Sequence, residues 1–159
     1  MVQMVPLQPA HKEPIRQLLR ETRAFRSDEV EVALELIEEC LTYTSFNPEN
    51  YQIYSAVEGA SVLGYVCFGK TPMTLSTYDL YWIAVAREVQ GKGIGRALFE
   101  FACSEIQKQG GKLLVIETSS QPQYENTRRF YEKMGCQLEA RIKDFYCVGD
   151  DKLIYTKHF

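Results

Sequence analysis

Three glycines alternate with other residues in the segment Gln90-Gly91-Lys92-Gly93-Ile94-Gly95-Arg96. Glycines let a backbone approach a ligand closely and point successive amide groups at one anion. A helix is predicted to begin near Ile94, so its unpaired first-turn amides and its dipole would attract the same anion. Lys92 and Arg96 add positive charge. The segment therefore predicts a cradle for a pyrophosphate group.

Two other phosphate-binding motifs do not fit this loop. A nucleotide-binding Walker loop needs GxxxxGK followed by Ser or Thr, and residues 90–96 contain no such string. The dinucleotide motif GxGxxG fails because its last position is Arg96 when counted from Gly91, and Leu98 when counted from Gly93. The pattern that the loop does contain is Gln-x-x-Gly-x-Gly. A nucleotide-binding α/β protein is therefore the disfavoured alternative.

Strand and helix patterns surround the loop. Strands are predicted at residues 1–7, 51–57, 62–68, 77–85, 113–118, 136–148 and 152–157, the last two flanking a turn at Gly149-Asp150-Asp151. Helices are predicted at 13–22, from a capping Ser27 to just before Asn47-Pro48, from Ile94 to Gly110, and at 126–134. This order predicts an α/β (α+β) fold with a mixed, mostly antiparallel sheet and helices on both faces. No linker or repeat interrupts it, so we expect a single domain over residues 1–159.

Apolar residues recur at helical spacing in the two longest predicted helices, so each should turn one face to the core. These residues are Val30, Ala33, Leu34, Ile37 and Leu41 in the second helix, and Ile94, Ala97, Leu98, Phe101, Ala102 and Ile106 in the third.

Two segments of the chain resemble two motifs of a known family and occur in the same order as in that family. The string Gln90-x-x-Gly93-x-Gly95 after the strand Leu80-Tyr81-Trp82-Ile83-Ala84-Val85 resembles the central motif of the GNAT superfamily of acetyl-CoA-dependent N-acetyltransferases. The segment Arg129-Phe130-Tyr131-Glu132-Lys133-Met134-Gly135-Cys136 resembles that family's second motif. The element order matches too, so the resemblance covers nearly the whole chain.

The resemblance implies how acetyl-CoA would bind. Backbone amides of residues 89–96 would hold the pyrophosphate, and the backbone of residues 83–85 would pair with the pantetheine arm where the strands 77–85 and 113–118 splay apart. In the family, an Asn seven positions before the helix Tyr often bonds the pantetheine; here that position is Tyr124, and Asn126 follows two residues later. The implied cofactor-binding residues are Ile83, Ala84, Val85, Val89, Gln90, Gly91, Lys92, Gly93, Ile94, Gly95, Arg96, Tyr124 and Tyr131.

Acetyl transfer to an amine needs a proton acceptor, a donor to the thioester carbonyl and a proton for the departing thiolate. By resemblance, Tyr131 is the general acid and the Val85 amide the carbonyl donor. Glu117, at the end of the strand 113–118, and Asp79, which shares a strand face with Tyr81, are alternative general bases. A module that binds acetyl-CoA without turnover, in a regulatory or structural role, is the competing hypothesis.

The acceptor is less well defined than the donor. Glutamates at 29, 31, 35, 38 and 39 form either an acidic wall that attracts a cationic amine or a solvated helix face. The segment Arg141-Ile142-Lys143-Asp144-Phe145-Tyr146 could line a pocket for an acceptor bearing a carboxylate, or form an interface strand. We expect a small-molecule or peptide amine acceptor, and aromatic strands near the C-terminus favour a homodimer.

Composition narrows the class of protein. The net charge of −3 and the pI near 5.5 argue against a nucleic-acid partner. No apolar run is long enough to span a membrane, and no secretory signal is evident, so we expect a cytoplasmic protein without a membrane partner. Five cysteines without CxxC spacing and only two histidines predict neither a disulfide framework nor a metal site.

Overall fold

A twisted seven-stranded sheet forms the centre of the computed structural model, which describes residues 1–42 and 51–159. Its strands are β1 (Gln3–Pro6), β2 (Gln52–Glu58), β3 (Ser61–Lys70), β4 (Thr77–Val85), β5 (Leu113–Ser119), β6 (Gln137–Cys147) and β7 (Asp150–His158). They lie in the order β1-β2-β3-β4-β5-β7-β6. Strands β4 and β5 run parallel, and the other neighbouring pairs run antiparallel. The predicted mixed, mostly antiparallel sheet is confirmed.

Helices cover both faces of the sheet, as predicted. They are α1 (Lys12–Glu21), α2 (Ser27–Thr42), α3 (Ile94–Lys108) and α4 (Glu125–Lys133). Helices α3 and α4 pack on one face in a core that includes Leu98, Ile106 and Tyr131. Helices α1 and α2 pack on the other face in a second core that includes Ile15 and Ile37. The central strands of the sheet are therefore buried between two apolar layers.

The parallel pair β4–β5 is joined along only part of its length. The register pairs Thr77–Leu80 with residues 113–116, and no pairing between these strands follows in the described residues. Strand β4 continues to Val85 and β5 to Ser119, so their far ends diverge. A β-bulge adds to this divergence, because Cys67 of β3 opposes Trp82 while Phe68 opposes Leu80, which leaves Tyr81 unpaired in the ladder. The predicted splay of these two strands is confirmed.

Several local predictions need correction. Ser27 does not precede α2 as a cap but lies within it, and the carboxylate of Glu29 accepts a hydrogen bond from the Arg26 amide at 2.7 Å. The last hairpin turn is shorter than predicted, because β7 already begins at Asp150. The predicted end of the second helix before Asn47-Pro48 lies outside the described residues.

The predicted core faces are largely right, with shifts of one position. In α2, Val30, Ala33 and Ile37 are buried as predicted. In α3, Phe99 and Cys103 are buried in addition to the spaced residues, while the predicted Ala97 and Phe101 are only partly buried, because the stripe that faces the sheet is displaced around the helix.

Strand β6 forms one edge of the sheet and is exposed along all 11 residues. Its exposed apolar side chains include Leu138, Ile142 and Phe145. Within the described ranges, none of the helices is both long and apolar enough to cross a membrane.

Candidate active site

The glycine-rich loop adopts the backbone conformation that glycine makes accessible. Gly91 has φ of 76° and Gly93 has φ of 86°, both in the left-handed region that disfavours other residues. Gly93 immediately precedes α3, so the loop delivers the chain directly into the first turn of that helix. The predicted arrangement of strand, glycine-rich loop and helix is therefore present.

Some backbone amides of the loop already donate hydrogen bonds within the protein, and others do not. The amides of Val89, Gln90 and Lys92 donate to backbone carbonyls at 3.0, 3.4 and 3.3 Å. Five further amides have no acceptor among the described residues, and they are those of Gly91, Gly93, Ile94, Gly95 and Arg96. Because unpaired amides at a helix N-terminus attract anions, this part of the loop fits a pyrophosphate.

A cavity of about 610 Å³ opens beside the loop, and we call it the loop cavity. Its lining includes the glycines 91, 93 and 95, Gln90, Arg96 and the β4 residues Ile83, Ala84 and Val85. Three of the residues predicted to bind the cofactor, Val89, Lys92 and Ile94, do not line this cavity. The guanidinium of Arg96 is 2.7 Å from the carboxylate of Glu100.

The far end of β4 presents backbone groups to the gap between the strands. The Ala86 amide donates to the Leu63 carbonyl of β3 at 2.8 Å. Because successive residues of a strand direct their polar groups to opposite edges, those of Val85 and Ile83 point toward β5, which does not pair with them. The side-chain amide of Gln90 donates to the Val85 carbonyl at 3.2 Å. An extended ligand could therefore add to this edge.

A second cavity, of about 680 Å³, lies on the other side of the gap, and we call it the aromatic cavity. Tyr131, Glu117 and Asp79, the three residues predicted for catalysis, all line it. Phe25, Ile83 and Thr127 line both cavities, so the two meet at the divergence of β4 and β5.

Asp79 lines the aromatic cavity as a partly buried carboxylate. The Thr71 hydroxyl donates to its Oδ2 at 2.6 Å, and the Tyr81 phenol lies within hydrogen-bonding reach. Burial raises the pKa of the Asp79 carboxyl, and the nearby charge of Glu117 adds to this, although the bond from Thr71 opposes it. A carboxylate with a raised pKa is a stronger base than an ordinary aspartate.

Glu117 is held by an ion pair. The Nζ of Lys152 lies 2.7 Å from its Oε2, and the same Nζ lies 3.8 Å from the centre of the Phe145 ring. The Glu117 side chain is 50% exposed. Of the two predicted bases, Asp79 is thus the more buried, and in the described residues it has no cationic partner.

Tyr131 is packed in the core and lines the aromatic cavity. Its ring contacts Phe99, Phe130 and Tyr155. Burial raises the pKa of the Tyr131 phenol far above its usual value, so the hydroxyl keeps its proton at neutral pH. No described residue forms a hydrogen bond with it, which leaves this proton available to a ligand.

Tyr124, just before α4, and Asn126, in the first turn of α4, line different cavities. Tyr124 lines the aromatic cavity, and its hydroxyl donates to Oε2 of Glu29 at 2.5 Å. Asn126 lines the loop cavity instead. Of the two residues considered for the cofactor contact, Asn126 is the one beside the loop, and the assignment to Tyr124 remains a prediction.

Sequence reasoning missed several lining residues on the turn between α1 and α2. Phe25 lines both cavities, and Thr22 and Arg23 line the loop cavity. Arg23 has φ of 51°, unusual for a residue that is not glycine. No pattern in the sequence marks this turn as part of a site, because only the packing of α1 and α2 on the sheet brings it there.

The chain also contains one string that satisfies the Walker pattern, Gly64-Tyr65-Val66-Cys67-Phe68-Gly69-Lys70-Thr71. In the structure, Ser61–Lys70 is strand β3, and residues 64–69 of it are buried. A phosphate loop must instead connect a strand to a helix, so this match has no binding meaning.

Comparison with known proteins identifies the family. Residues 49–136 match the family model described as acetyltransferase (GNAT) domain. That match covers more than half of the chain, so the chain belongs to the GNAT acetyltransferase family. A search of curated proteins found no match.

Solved structures agree with this family. A GNAT-family protein from Desulfovibrio desulfuricans is 40% identical, with a TM-score of 0.92 over 99% of both chains. An aminoglycoside 6'-N-acetyltransferase complexed with coenzyme A is 18% identical, with a TM-score of 0.76 over 98% of this chain and 96% of that one. The ribosomal-protein-S18-alanine N-acetyltransferase from Escherichia coli is also 18% identical, with a TM-score of 0.76 over 99% and 94%. The last two show likeness of fold alone.

Proposed function

We propose that this chain transfers the acetyl group of acetyl-CoA to a primary amine, with both substrates bound together. The observation that carries the proposal is the meeting of two cavities at the gap between β4 and β5. One cavity holds free loop amides that suit a pyrophosphate. The other holds a phenol that keeps its proton and a carboxylate with a raised pKa.

The donor would lie along the loop cavity. The amides of Gly91, Gly93 and Gly95 would hold the pyrophosphate, and the β4 edge at Val85 would pair with the pantetheine arm. When bound, acetyl-CoA would supply the acetyl group as a reactive thioester. The related aminoglycoside enzyme that was solved with coenzyme A supports this choice of donor.

The chain's own groups would then move protons. Asp79, directly or through water, would accept the proton of the attacking amine, and the Val85 amide would donate to the carbonyl oxygen. As the C–N bond forms and the C–S bond breaks, the Tyr131 hydroxyl would donate its proton to the departing sulfur, and the proton that Asp79 took from the amine would return to Tyr131 through water. The products are an N-acetylated amine and the free thiol of CoA. Holding both substrates at the gap would supply much of the rate.

Release of free thiol from acetyl-CoA across a panel of primary amines tests the proposal, with the acetylated product identified by mass spectrometry. We expect thiol release that depends on the amine and matches the product one for one. Tight CoA binding without amine-dependent release would instead indicate a binding module without turnover. Preference for ATP or NAD over CoA would refute the donor assignment.

A further inference from the structure

The aromatic cavity carries more negative than positive charge. Four carboxylates line it, those of Asp28, Glu29, Asp79 and Glu117, and its one cationic lining residue in the described part of the chain is Arg26. Arg26 pairs with Asp28 at 3.2 Å, and Glu117 pairs with Lys152. Glu29 and Asp79 have no ion-pair partner among the described residues. The cavity therefore offers two uncompensated carboxylates.

Aromatic rings make up much of the remaining wall. They are Phe25, Tyr51, Tyr81, Trp82, Tyr124, Tyr131 and Tyr146. Two edge-to-face pairs order them, Phe25 with Trp82 at 5.3 Å between ring centres and Tyr51 with Tyr81 at 4.9 Å. Ring faces attract ammonium groups and also bury alkyl chains. This wall suits an alkyl chain that carries ammonium groups.

The negative charge of the cavity wall argues for an acceptor with two nitrogens. The attacking nitrogen must be neutral, yet surrounding carboxylates favour its charged form. An acidic wall therefore hinders the deprotonation of a simple monoamine, because the amine loses its only positive charge and with it the attraction of the carboxylates. A second ammonium group that keeps its charge through the reaction would instead gain from the same wall.

Glu29 is the carboxylate best placed to hold a retained charge. It accepts hydrogen bonds from the Tyr124 hydroxyl at 2.5 Å and the Arg26 amide at 2.7 Å, both on Oε2. Its other oxygen has no partner in the described residues. Glu29, Glu117 and Tyr146 line the same cavity.

An acceptor with a carboxylate fits less well. Arg141 and Lys143, the cations considered for such an acceptor, do not line the aromatic cavity. The guanidinium of Arg141 is paired with Asp151 at 2.5 Å. A substrate carboxylate would thus face Glu29 and Asp79, and the described lining residues offer no unpaired cation to offset the repulsion.

We propose that the acetyl acceptor is an alkyl diamine or longer polyamine, with a second ammonium group and no carboxylate. The inference rests on the proposed function. One ammonium nitrogen first loses a proton to solvent. The neutral nitrogen then forms the new C–N bond and passes a second proton to Asp79, while the thioester C–S bond breaks and the sulfur takes a proton from Tyr131. The proton on Asp79 returns to Tyr131 through water, so both groups end as they began. The second ammonium group is unchanged by the reaction and is held by Glu29 and the rings around it.

Three matched amines test this inference. Pentylamine is 1,5-diaminopentane without its second ammonium group, and lysine is 1,5-diaminopentane with a carboxylate added. We expect kcat/KM for 1,5-diaminopentane to exceed that for either of the others by at least about tenfold, the size of one charge-assisted contact.

A pair of variants on α2 tests the role of Glu29. Gln in Glu29→Gln can still accept the bonds from Tyr124 and Arg26, so the fold should survive. We expect the preference for 1,5-diaminopentane over pentylamine to fall about tenfold in this variant. Glu31→Gln is the matched control, because Glu31 is exposed on the same helix and does not line the cavity. Its preference should equal that of the unmodified protein.

The outcomes separate the two proposals. Equal or better acetylation of pentylamine or lysine would overturn the diamine inference and leave acetyl transfer intact. Acetylation of none of the three, with CoA bound, would count against acetyl transfer to such amines. Calorimetric titration of the three amines into the CoA-bound protein then measures their dissociation constants. Equal dissociation constants for the three amines would also overturn the diamine inference.

Discussion

Gly93 offers the sharpest test of the loop as a pyrophosphate cradle. Its φ is 86°, and a Cβ built on it meets no atom within 4 Å. A change to alanine therefore strains the backbone without a steric clash inside the protein. Gly59, in the turn between β2 and β3, has φ of 59° and equally open surroundings. Gly59→Ala is thus a matched control for Gly93→Ala.

Both variants should lose similar stability, but only one should lose affinity for CoA. An L-residue in the left-handed region costs about 1–2 kcal/mol. For a domain of this size, each kcal/mol lowers Tm by roughly 2–4 °C, so both should melt about 2–8 °C lower. In Gly93→Ala, the methyl group stands on the open side of the cradle. Loss of one charge-assisted amide contact, worth about 1.5–3 kcal/mol, should raise the Kd for CoA at least about tenfold.

Isothermal titration with CoA and thermal melting measure the two effects separately. Pantetheine, which lacks the pyrophosphate, serves as a second control, and its weaker binding should not differ between the two variants. The reasoning is refuted if Gly93→Ala binds CoA within about twofold of Gly59→Ala while both melt at the same temperature.

Three further changes follow from the site and the sheet. Tyr131→Phe should lower kcat by about 10²–10⁴-fold and leave the Kd for CoA unchanged, measured by thiol release and titration. Asp79→Asn should lower kcat/KM by a similar factor. It should also remove the acidic limb from the pH profile of kcat/KM, and the pKa of that limb should lie above the ordinary aspartate value of about 3.9 because burial raises the pKa of Asp79. Because the ionised form of Asp79 is disfavoured in the native state, the variant should melt higher than the unmodified protein at pH 8 but not at pH 3. Gly64→Ala should melt lower than Gly59→Ala, because its Cβ would lie 2.7 Å from the Ala84 carbonyl oxygen.

Each of these has a contrary result. Unchanged kcat in Tyr131→Phe, with chemistry rate-limiting, would exclude that phenol as the acid. Retention of the acidic limb in Asp79→Asn would move the role of base to Glu117. A Gly64→Ala variant as stable as Gly59→Ala would show that β3 and β4 can separate locally without cost.

The sequence predicted those features that depend on local periodicity and backbone demands. The spacing from Ile94 to Ile106 predicted α3 to within two residues of its observed end at Lys108. The predicted glycine-rich loop lies between a strand and a helix, as the order of elements in the sequence indicated. The family resemblance supplied the splay of the strands, which composition alone would not have indicated.

The features that depend on tertiary packing were not predictable in the same way. Phe25 joins both cavities only because α1 and α2 fold back over β4, a contact between segments distant in sequence. The hydrogen bond of Tyr124 to Glu29 joins residues 95 positions apart, so no local pattern could show that Tyr124 faces the aromatic cavity. The Walker-like string from Gly64 to Thr71 shows the reverse error, in which a pattern matches where the backbone forms a strand.

The short ladder between β4 and β5 has a consequence for the stability and degradation of the protein in a cell. Four residue pairs join these strands, and beyond them no strand among the described residues pairs with this edge of β4. A donor bound there would become part of the hydrogen-bonded sheet, so its concentration would set the stability of the chain as well as its rate of reaction. At a hundredfold excess over Kd, the added stability is about 2.7 kcal/mol. Cells short of the donor would therefore hold a chain that opens more often and is degraded faster.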